Sequence, residues 1–140
     1  MTYDQEPLKA LVVDDDRLAR MIYRNYLLKI GYDVTEAEDG LTAIQIVSRN
    51  NNHFDVVLLD YNMPGENGDV VAEKIRRIEA EHCWGRGLII GITAHTDPEI
   101  KNRCLQAGMD IVLSKPVRFL DLETLLKQLQ SSVISMIDRQ

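Results

Sequence analysis

Five short apolar segments alternate along the chain with five segments of helical periodicity, and this alternation constrains the fold more than any other feature. The predicted strands are residues 8–13, 33–37, 54–59, 88–92 and 111–113. Their connections are short, and crossovers between parallel strands are right-handed, so each helix packs back onto the sheet. The pattern therefore predicts one α/β domain, doubly wound, with a parallel five-stranded sheet and helices on both faces.

The third predicted strand is buried on both faces and ends at a carboxylate. Residues 54–59 are apolar except for Asp55 and show no helical spacing, which is typical of a central strand. Asp60 follows directly, and Pro64 with two glycines then holds the chain in a loop that continues neither a strand nor a helix. Ligands bind at the carboxyl ends of strands in open α/β sheets, so Asp60 lies where a site is expected.

Each strand is followed by a segment with apolar residues at helical spacing. The first helix is predicted to start after Asp16, its N-cap, and to end at Gly31. Its buried stripe is predicted to consist of Ala19, Ile22, Tyr26, Leu27 and Ile30. The basic residues outside that stripe are expected in solvent, namely Arg17, Arg20 and Arg24.

The other four helices are predicted from apolar spacing and from capping residues. They cover residues 41–49, 69–81 and 98–107 and the segment that opens at Asp121. Residues 50–52, all asparagine, are expected to end the second helix, and Asp97 with Pro98 to start the fourth. The last helix is the most regular, with a stripe of Leu122, Leu125, Leu126, Leu129 and Val133.

Length, charge and cysteine usage bound the domain count and the class of partner. A chain of 140 residues allows one domain, assigned to residues 1–140 with a core of about 8–130 and an N-terminal extension at 1–7. The net charge of −6, without a basic run, argues against direct nucleic-acid binding. No apolar run is long enough for a membrane span, and the N-terminus lacks signal-peptide features. Cys83 and Cys104 have neither disulfide-framework nor zinc-site spacing, which favours reduced thiols and a cytoplasmic location.

Reactive side chains follow four of the five predicted strands. They are Asp14, Asp15 and Asp16 after the first strand, Asp60 after the third, Thr93 after the fourth and Lys115 after the fifth. An Asp at any one of these positions is also typical of a turn or of a helix start. The strand order 2-1-3-4-5 would bring the four strand ends to one edge of the sheet, which favours a single shared site.

These residue types suit the formation of an acyl phosphate on aspartate. Clustered carboxylates repel one another, and a small hard cation such as Mg²⁺, which prefers carboxylate and phosphate oxygens, would relieve that repulsion. Lys115 offers a positive charge for a phosphoryl group, and the Thr93 hydroxyl can donate to one of its oxygens. A carboxylate beside such groups can act as the nucleophile toward phosphorus.

Five motifs together resemble those of one protein family. The runs are LVVDDD, LLDYNMPGENG, IGITA, AGMD and SKP, in this order and at these separations. Over nearly the whole chain they are similar to the receiver domain of two-component response regulators, and most of all to receiver modules of hybrid sensor kinases. The resemblance implies a flavodoxin-like (βα)5 fold. It also implies a signalling phosphoacceptor that promotes its own phosphorylation and dephosphorylation, and not an enzyme with a separate substrate.

The resemblance implies a role for each residue of the shared site. Asp60 is expected to be the phosphoacceptor, Thr93 the switch hydroxyl and Lys115 a phosphoryl-binding lysine joined to Pro116 by a cis peptide bond. The implied metal is Mg²⁺ or Mn²⁺. Its implied ligands are Asp15 directly, Asp14 through water, Asp60, and the backbone carbonyl of Asn62. One position departs from the pattern, because Val112 stands where the family carries an aromatic switch residue.

The same resemblance implies the partners and leaves two alternatives. A histidine kinase or histidine phosphotransfer domain would donate the phosphoryl group. An output domain or effector on the face of the fourth and fifth helices, and a second copy of the chain in a homodimer, are further candidates. The alternatives are an aspartate-dependent phosphatase, in which Asn62 would have to act as a general acid, and an FMN-binding flavodoxin-like protein, whose phosphate the acidic first loop would repel.

His95 and Asn62 are predicted to control how long a phosphoryl group persists on Asp60. Each lies two residues beyond a residue of the expected site, His95 after Thr93 and Asn62 after Asp60. In the implied arrangement their side chains flank the path of an attacking water.

Overall fold

The structure, a computed structural model, describes residues 6–49, 53–95 and 97–138, with side chains described up to residue 129. Within these ranges five strands and five helices alternate. The strands are β1 (Lys9–Val13), β2 (Asp33–Ala37), β3 (Val56–Asp60), β4 (Leu88–Thr93) and β5 (Ile111–Ser114). The helices are α1 (Arg17–Ile30), α2 (Gly40–Ser48), α3 (Gly68–Glu81), α4 (Pro98–Gln106) and α5 (Phe119–Asp138).

The strands form one parallel sheet in the order β2-β1-β3-β4-β5, which confirms the predicted topology. Strand β1 lies beside β3, with Val13 opposite Leu59, and β3 lies beside β4, with Asp60 opposite Ile92. The carboxyl ends of β1, β3, β4 and β5 therefore meet at one edge of the sheet, called the carboxyl edge below.

The core lies in two layers, one on each face of the sheet. Successive side chains of a strand point to opposite faces, so Leu11 belongs to one layer and Val12 to the other. The first layer contains buried residues of α2, α3 and α4, and the second contains Leu27 of α1 with Leu122 and Leu126 of α5. Every residue of β3 is buried, as the continuous apolar run predicts.

The N-cap predicted for α1 makes its hydrogen bond, whereas the one predicted for α4 does not. The Asp16 carboxylate accepts from the Leu18 N–H at 3.0 Å, and α1 ends at Gly31, whose φ of 119° is in the left-handed region. Pro98 is the first residue of α4, but the Asp97 side chain makes no capping hydrogen bond. The start of α4 is therefore less firmly held than that of α1.

Some predicted boundaries and one buried stripe are wrong in detail. Strand β3 starts at Val56 and includes Asp60, and α5 starts at Phe119, two residues before the predicted Asp121. In α1 the side chain of Tyr23 is buried whereas the predicted Ile22 is 38% exposed. The rest of the predicted stripe faces the core, so the stripe continues from Ala19 at a spacing of four residues and not three.

Three predictions fall partly outside the described residues. They concern residues 1–5 of the expected extension, the asparagines at 50–52, and the side chain of Val133. Among the described helices, none is both long enough and apolar enough to cross a bilayer.

Candidate functional site

The carboxyl edge collects the reactive residues that the sequence analysis places at strand ends. Asp14 follows β1, Asp60 ends β3, Thr93 ends β4 and Lys115 follows β5. The register of the parallel strands explains this, since Thr93 lies opposite Ser114, the residue before Lys115. The Lys115 N–H donates to the Thr93 carbonyl at 2.8 Å, which ties the ends of β4 and β5 together.

Three carboxylates form an acidic cluster at this edge, made of Asp14, Asp15 and Asp60. One carboxylate oxygen of each lies within 4.8 Å of the others. Asp14 and Asp60 are only 1% and 2% exposed, whereas Asp15 is exposed to solvent. Asp14 and Asp60 therefore lie inside the fold and Asp15 lies at its surface, with all three carboxylates within reach of a single ion.

Two oxygens of the acidic cluster lack hydrogen-bond donors among the described residues. Asp14 Oδ2 and Asp60 Oδ1 are buried, and among the described residues no group donates a hydrogen bond to either. Buried polar atoms are rarely left without a donor, because each such atom loses its hydration without compensation. Carboxylate oxygens in this arrangement fit a hard divalent cation of the size of Mg²⁺, which takes one or two carboxylates and keeps several waters.

Lys115 supplies the positive charge opposite the acidic cluster. Its Nζ lies 3.2 Å from Asp60 Oδ1 and 3.9 Å from Asp14 Oδ2, as an ion pair and not as an aligned hydrogen bond. The Lys115–Pro116 peptide bond is cis, as the family resemblance implies. The side chain is about one-third exposed, so the ammonium spans the boundary between the buried carboxylates and solvent.

Burial and mutual repulsion disfavour the charged forms of the carboxylates. Burial raises the pKa of Asp60 to about 6, the Asp14 charge also raises it, and Lys115 opposes both. Burial likewise raises the pKa of Asp14. For Lys115, burial lowers the pKa but the charges of Asp60 and Asp14 outweigh it, so its pKa is above the ordinary value. The site thus holds a firmly protonated lysine beside carboxylates that need a further cation.

The Thr93 hydroxyl is buried and tied to the loop that follows β4. Its Oγ1 accepts from the His95 backbone N–H at 3.0 Å. Because the hydroxyl accepts in this bond, its own hydrogen stays available for another acceptor. His95 and Asn62 are both exposed in the loops beyond β4 and β3. The metal contact predicted for the Asn62 carbonyl stays a prediction.

Arg20 lies beside the site, and the prediction that its side chain is in solvent is wrong. It was expected in solvent, but its side chain is only 14% exposed. Its Nη1 donates to the Asp14 carbonyl at 2.7 Å and its Nε lies 3.3 Å from Glu36 Oε1. The guanidinium therefore fixes the backbone at the start of the acidic cluster. A basic residue one turn into a helix that follows three aspartates is the signal that could have identified it.

Val112 is partly buried against the core layer that contains α3 and α4. It lies opposite Gly91 in the sheet register. The position at which the family carries an aromatic switch residue therefore holds an aliphatic side chain, and no ring there could reorient toward Thr93.

The chain matches the family model described as "Response regulator receiver domain" over residues 10–129. It is 40% identical over 115 residues to the sensor histidine kinase RcsC of Escherichia coli. That match covers 81% of this chain but 11% of RcsC, so the chain spans about a tenth of the length of this relative.

Two solved structures share the fold and part of the sequence. The chemotaxis protein CheY4 of Vibrio cholerae superimposes with a TM-score of 0.74 at 31% identity, covering 90% of this chain and 98% of CheY4. The receiver domain of the sensor histidine kinase PA1611 of Pseudomonas aeruginosa gives a TM-score of 0.76 at 29% identity, covering 88% and 97%. That structure has a magnesium ion coordinated in its active-site cleft. The match of the family model to most of the chain, together with the acidic cluster and the sheet order, establishes that the chain belongs to the response regulator receiver domain family.

Proposed function

We propose that this receiver domain accepts a phosphoryl group on Asp60 from a phosphohistidine of a histidine kinase or histidine phosphotransfer domain. The observation that carries the proposal is the buried Asp60 carboxylate, whose Oδ1 receives no aligned hydrogen bond and lies 3.2 Å from Lys115 Nζ, beside the other acids of the cluster. An Asp60 oxygen forms the new O–P bond while the N–P bond of the donor breaks and its electron pair returns to the imidazole.

Mg²⁺ or Mn²⁺, held by Asp14, Asp15, Asp60 and the Asn62 carbonyl, would supply positive charge against the phosphoryl oxygens. The Lys115 ammonium, 3.2 Å from Asp60, binds a phosphoryl oxygen from the other side. The Thr93 hydroxyl donates its free hydrogen to a phosphoryl oxygen. Because the His95 N–H is bonded to the same hydroxyl, the loop that follows β4 moves toward the phosphoryl group with it. The domain thus promotes its own phosphorylation and responds to it by a shift in the population of that loop and of the α4–α5 face.

The wider assignment follows from the kind of protein in which similar domains occur. RcsC is a sensor histidine kinase, and the chain corresponds to about a tenth of it. We therefore place the domain in a phosphorelay in the cytoplasm, with an output domain or effector on the face of α4 and α5, or with a second copy of the chain, as the receiver of its signal. No specific observation favours the phosphatase or the FMN-binding alternative.

Phosphoryl uptake from a small phosphodonor tests this function directly. With acetyl phosphate and Mg²⁺, intact-mass measurement is expected to show one added phosphoryl group on the unaltered domain and none on Asp60→Asn. The matched control is Asp33→Asn, which changes an exposed carboxylate at the start of β2. Equal uptake by Asp60→Asn and the unaltered domain would remove Asp60 from its role.

The proposed roles of His95 and Asn62 concern the lifetime of the phosphoryl group. Because both are exposed beside the site, replacing them changes access of water to phosphorus without disturbing the core. His95→Ala is expected to change the dephosphorylation rate, followed by the decay of the added mass after the donor is removed. An unchanged rate would reject the role of His95.

A further inference from the structure

A hydrogen bond connects the residue after Asp60 to α4. The Arg103 guanidinium donates through Nη1 to the Tyr61 hydroxyl at 3.3 Å. The Tyr61 ring is buried, its backbone N–H donates to Ile92 O at 2.9 Å, and its carbonyl accepts from Gly68 N at 2.8 Å. Because the ring and both backbone groups are held, a shift of Asp60 is passed to the Tyr61 hydroxyl and so to Arg103.

A buried carboxylate oxygen without a hydrogen bond lies at the start of α3. Asp69 Oδ1 is buried, and within the described part of the chain nothing donates a hydrogen bond to it. The pKa of the Cys104 thiol is raised to about 11 by burial first and by the Asp69 charge second, and the Arg103 charge opposes both. Gly68, the residue before Asp69, donates its N–H to the Tyr61 carbonyl, and Cys104 packs in the same core layer as Val71 and Ala72 of α3. The start of α3 therefore lies beside both Tyr61 and α4, although no ion pair joins Asp69 and Arg103 among the described residues.

Helix α4 is the element best able to move between these acceptors. It has nine residues, and Cys104 is its one fully buried residue. Its N-cap residue, Asp97, makes no side-chain capping bond. A short helix with few buried side chains and a weak start costs little free energy to displace.

We propose that Arg103 exchanges acceptors, from the Tyr61 hydroxyl in the resting domain to the Asp69 carboxylate in the phosphorylated domain, and that this exchange moves α4. The proposal deepens and rests on the proposed function, since phosphorylation of Asp60 is the event that displaces Tyr61. It gives the domain a route from the phosphoacceptor to α4 that does not require a ring at Val112.

Opposing contributions act on the two arrangements. A guanidinium bonded to a carboxylate is more strongly bound than one bonded to a neutral phenol, and pairing would also satisfy the buried Asp69 oxygen. Against this, the resting arrangement keeps Cys104 fully buried and keeps Tyr61 paired with Arg103. A modest shift of Tyr61 is therefore enough to change which arrangement is populated.

Cys104 reports directly on the position of α4. It follows Arg103 in the chain and is fully buried, so its alkylation rate under native conditions measures how often α4 opens. Cys83 is exposed, so Cys83→Ser serves as the parent in which Cys104 is the remaining thiol. Alkylation is followed by intact mass, which also measures phosphoryl uptake in the same sample.

The resting arm tests the bond between Tyr61 and Arg103. In chelator and without phosphodonor, Tyr61→Phe and Arg103→Gln are each expected to raise the Cys104 alkylation rate about three- to tenfold. The double variant is expected to show no more than either single change, because both remove the same bond. The control is Lys101→Gln, on an exposed part of α4. A Tyr61→Phe rate equal to that of the parent would overturn the proposal.

The phosphorylated arm tests the exchange. With acetyl phosphate and Mg²⁺, the parent is expected to change its Cys104 alkylation rate by about threefold or more. Asp69→Asn is expected to lose that response while taking up as much phosphoryl group as the parent. Glu73→Gln, an exposed carboxylate one turn further along α3, is expected to keep it. A full response in Asp69→Asn would overturn the exchange.

The two levels of the proposal fail in different ways. If the parent gains no phosphoryl mass, the proposed function fails, and the exchange is overturned with it. If the parent gains the mass but its Cys104 rate stays unchanged, the proposed function stands and the exchange alone is overturned.

Discussion

Asp39 carries the N-terminal capping of α2. Its carboxylate accepts from the Thr42 N–H at 2.7 Å, and hydrogen bonds from the Thr42 backbone and then its side chain lower the pKa of Asp39 below 3.8. Asp39→Ala is expected to lower the free energy of unfolding by about 1 kcal/mol, whereas Asp39→Asn keeps an acceptor oxygen and loses less. Urea denaturation of the three proteins at pH 7 measures both changes.

The stability that the Asp39 cap contributes is expected to depend on pH. A carboxylate whose folded pKa is lowered stabilises the folded state above its unfolded pKa, which is 3.8 here, and this contribution disappears as pH falls through the folded pKa. The difference in stability between the unaltered domain and Asp39→Asn is therefore expected at pH 7 and should shrink below pH 3.8. A difference that grows toward acid pH would contradict this account.

At the scale of elements, Arg76 joins α3 to the ends of the sheet opposite the site. It donates to the carbonyls of Gly87 at 2.7 Å and Gly108 at 3.0 Å, and it pairs with Glu79 at 2.8 Å and Asp110 at 2.7 Å. The Glu79 side chain is nearly buried, so loss of Arg76 removes its arginine partner and leaves the carboxylate with the Gly87 N–H at 2.8 Å and His53 at 3.7 Å. Arg76→Met is expected to lower the free energy of unfolding by about 3–5 kcal/mol, measured by urea denaturation.

Arg77 provides the matched control for Arg76. It follows in the same helix, is 64% exposed and pairs only with Glu73 at 3.6 Å among the described residues. Arg77→Met is expected to cost about 0.5 kcal/mol or less, because exposed pairs contribute little. Similar losses for the two variants would show that the contacts of Arg76 are not what holds this end of α3.

Gly68 allows the start of α3 to lie close to the end of β3. A Cβ at this position would clash with the carbonyl oxygen of Asp60 and lie 3.0 Å from Tyr61 Cα, and both obstacles are backbone. Gly68→Ala is therefore expected to destabilise the domain by about 1–3 kcal/mol and to reduce phosphoryl uptake, because α3 must move away from Asp60. Gly85→Ala meets no atom within 4 Å and should change neither quantity, which thermal unfolding and intact mass will show.

For the whole molecule, the acidic cluster is expected to cost stability that the proposed metal ion would restore. In chelator at pH 7, Asp60→Asn is expected to raise the free energy of unfolding by about 2 kcal/mol, because it removes a buried charge that Asp14 repels. Mg²⁺ at about 100 times its dissociation constant should stabilise the unaltered domain by about 2.7 kcal/mol and Asp60→Asn by less.

The control for this effect is Asp33→Asn, which removes an exposed charge of the same type at the sheet margin. It should leave both the stability in chelator and the response to Mg²⁺ unchanged. A loss of stability in Asp60→Asn without metal would show that the ion pair with Lys115 outweighs the cost of burial.

Local patterns were enough to predict the order of the elements and the edge at which the site lies. Apolar runs, caps such as Asp16, and the Asp97–Pro98 helix start depend on neighbours in the chain, so they can be recognised without the fold. The parallel order then places Asp60 and Lys115 at the same edge, because the carboxyl ends of parallel strands lie together. They follow β3 and β5, which β4 separates, and the long Lys115 side chain spans that gap.

The tertiary structure alone decided which long side chains turn inward. Arg20 reaches the Asp14 carbonyl, and Tyr23 is buried in place of Ile22, because the rotation of α1 is set by packing against both the sheet and α5. The contact of Arg103 with Tyr61 likewise could not be predicted from the sequence. A flexible arginine selects its partner from groups that are distant in the chain, and their positions are fixed only when all the elements have packed together.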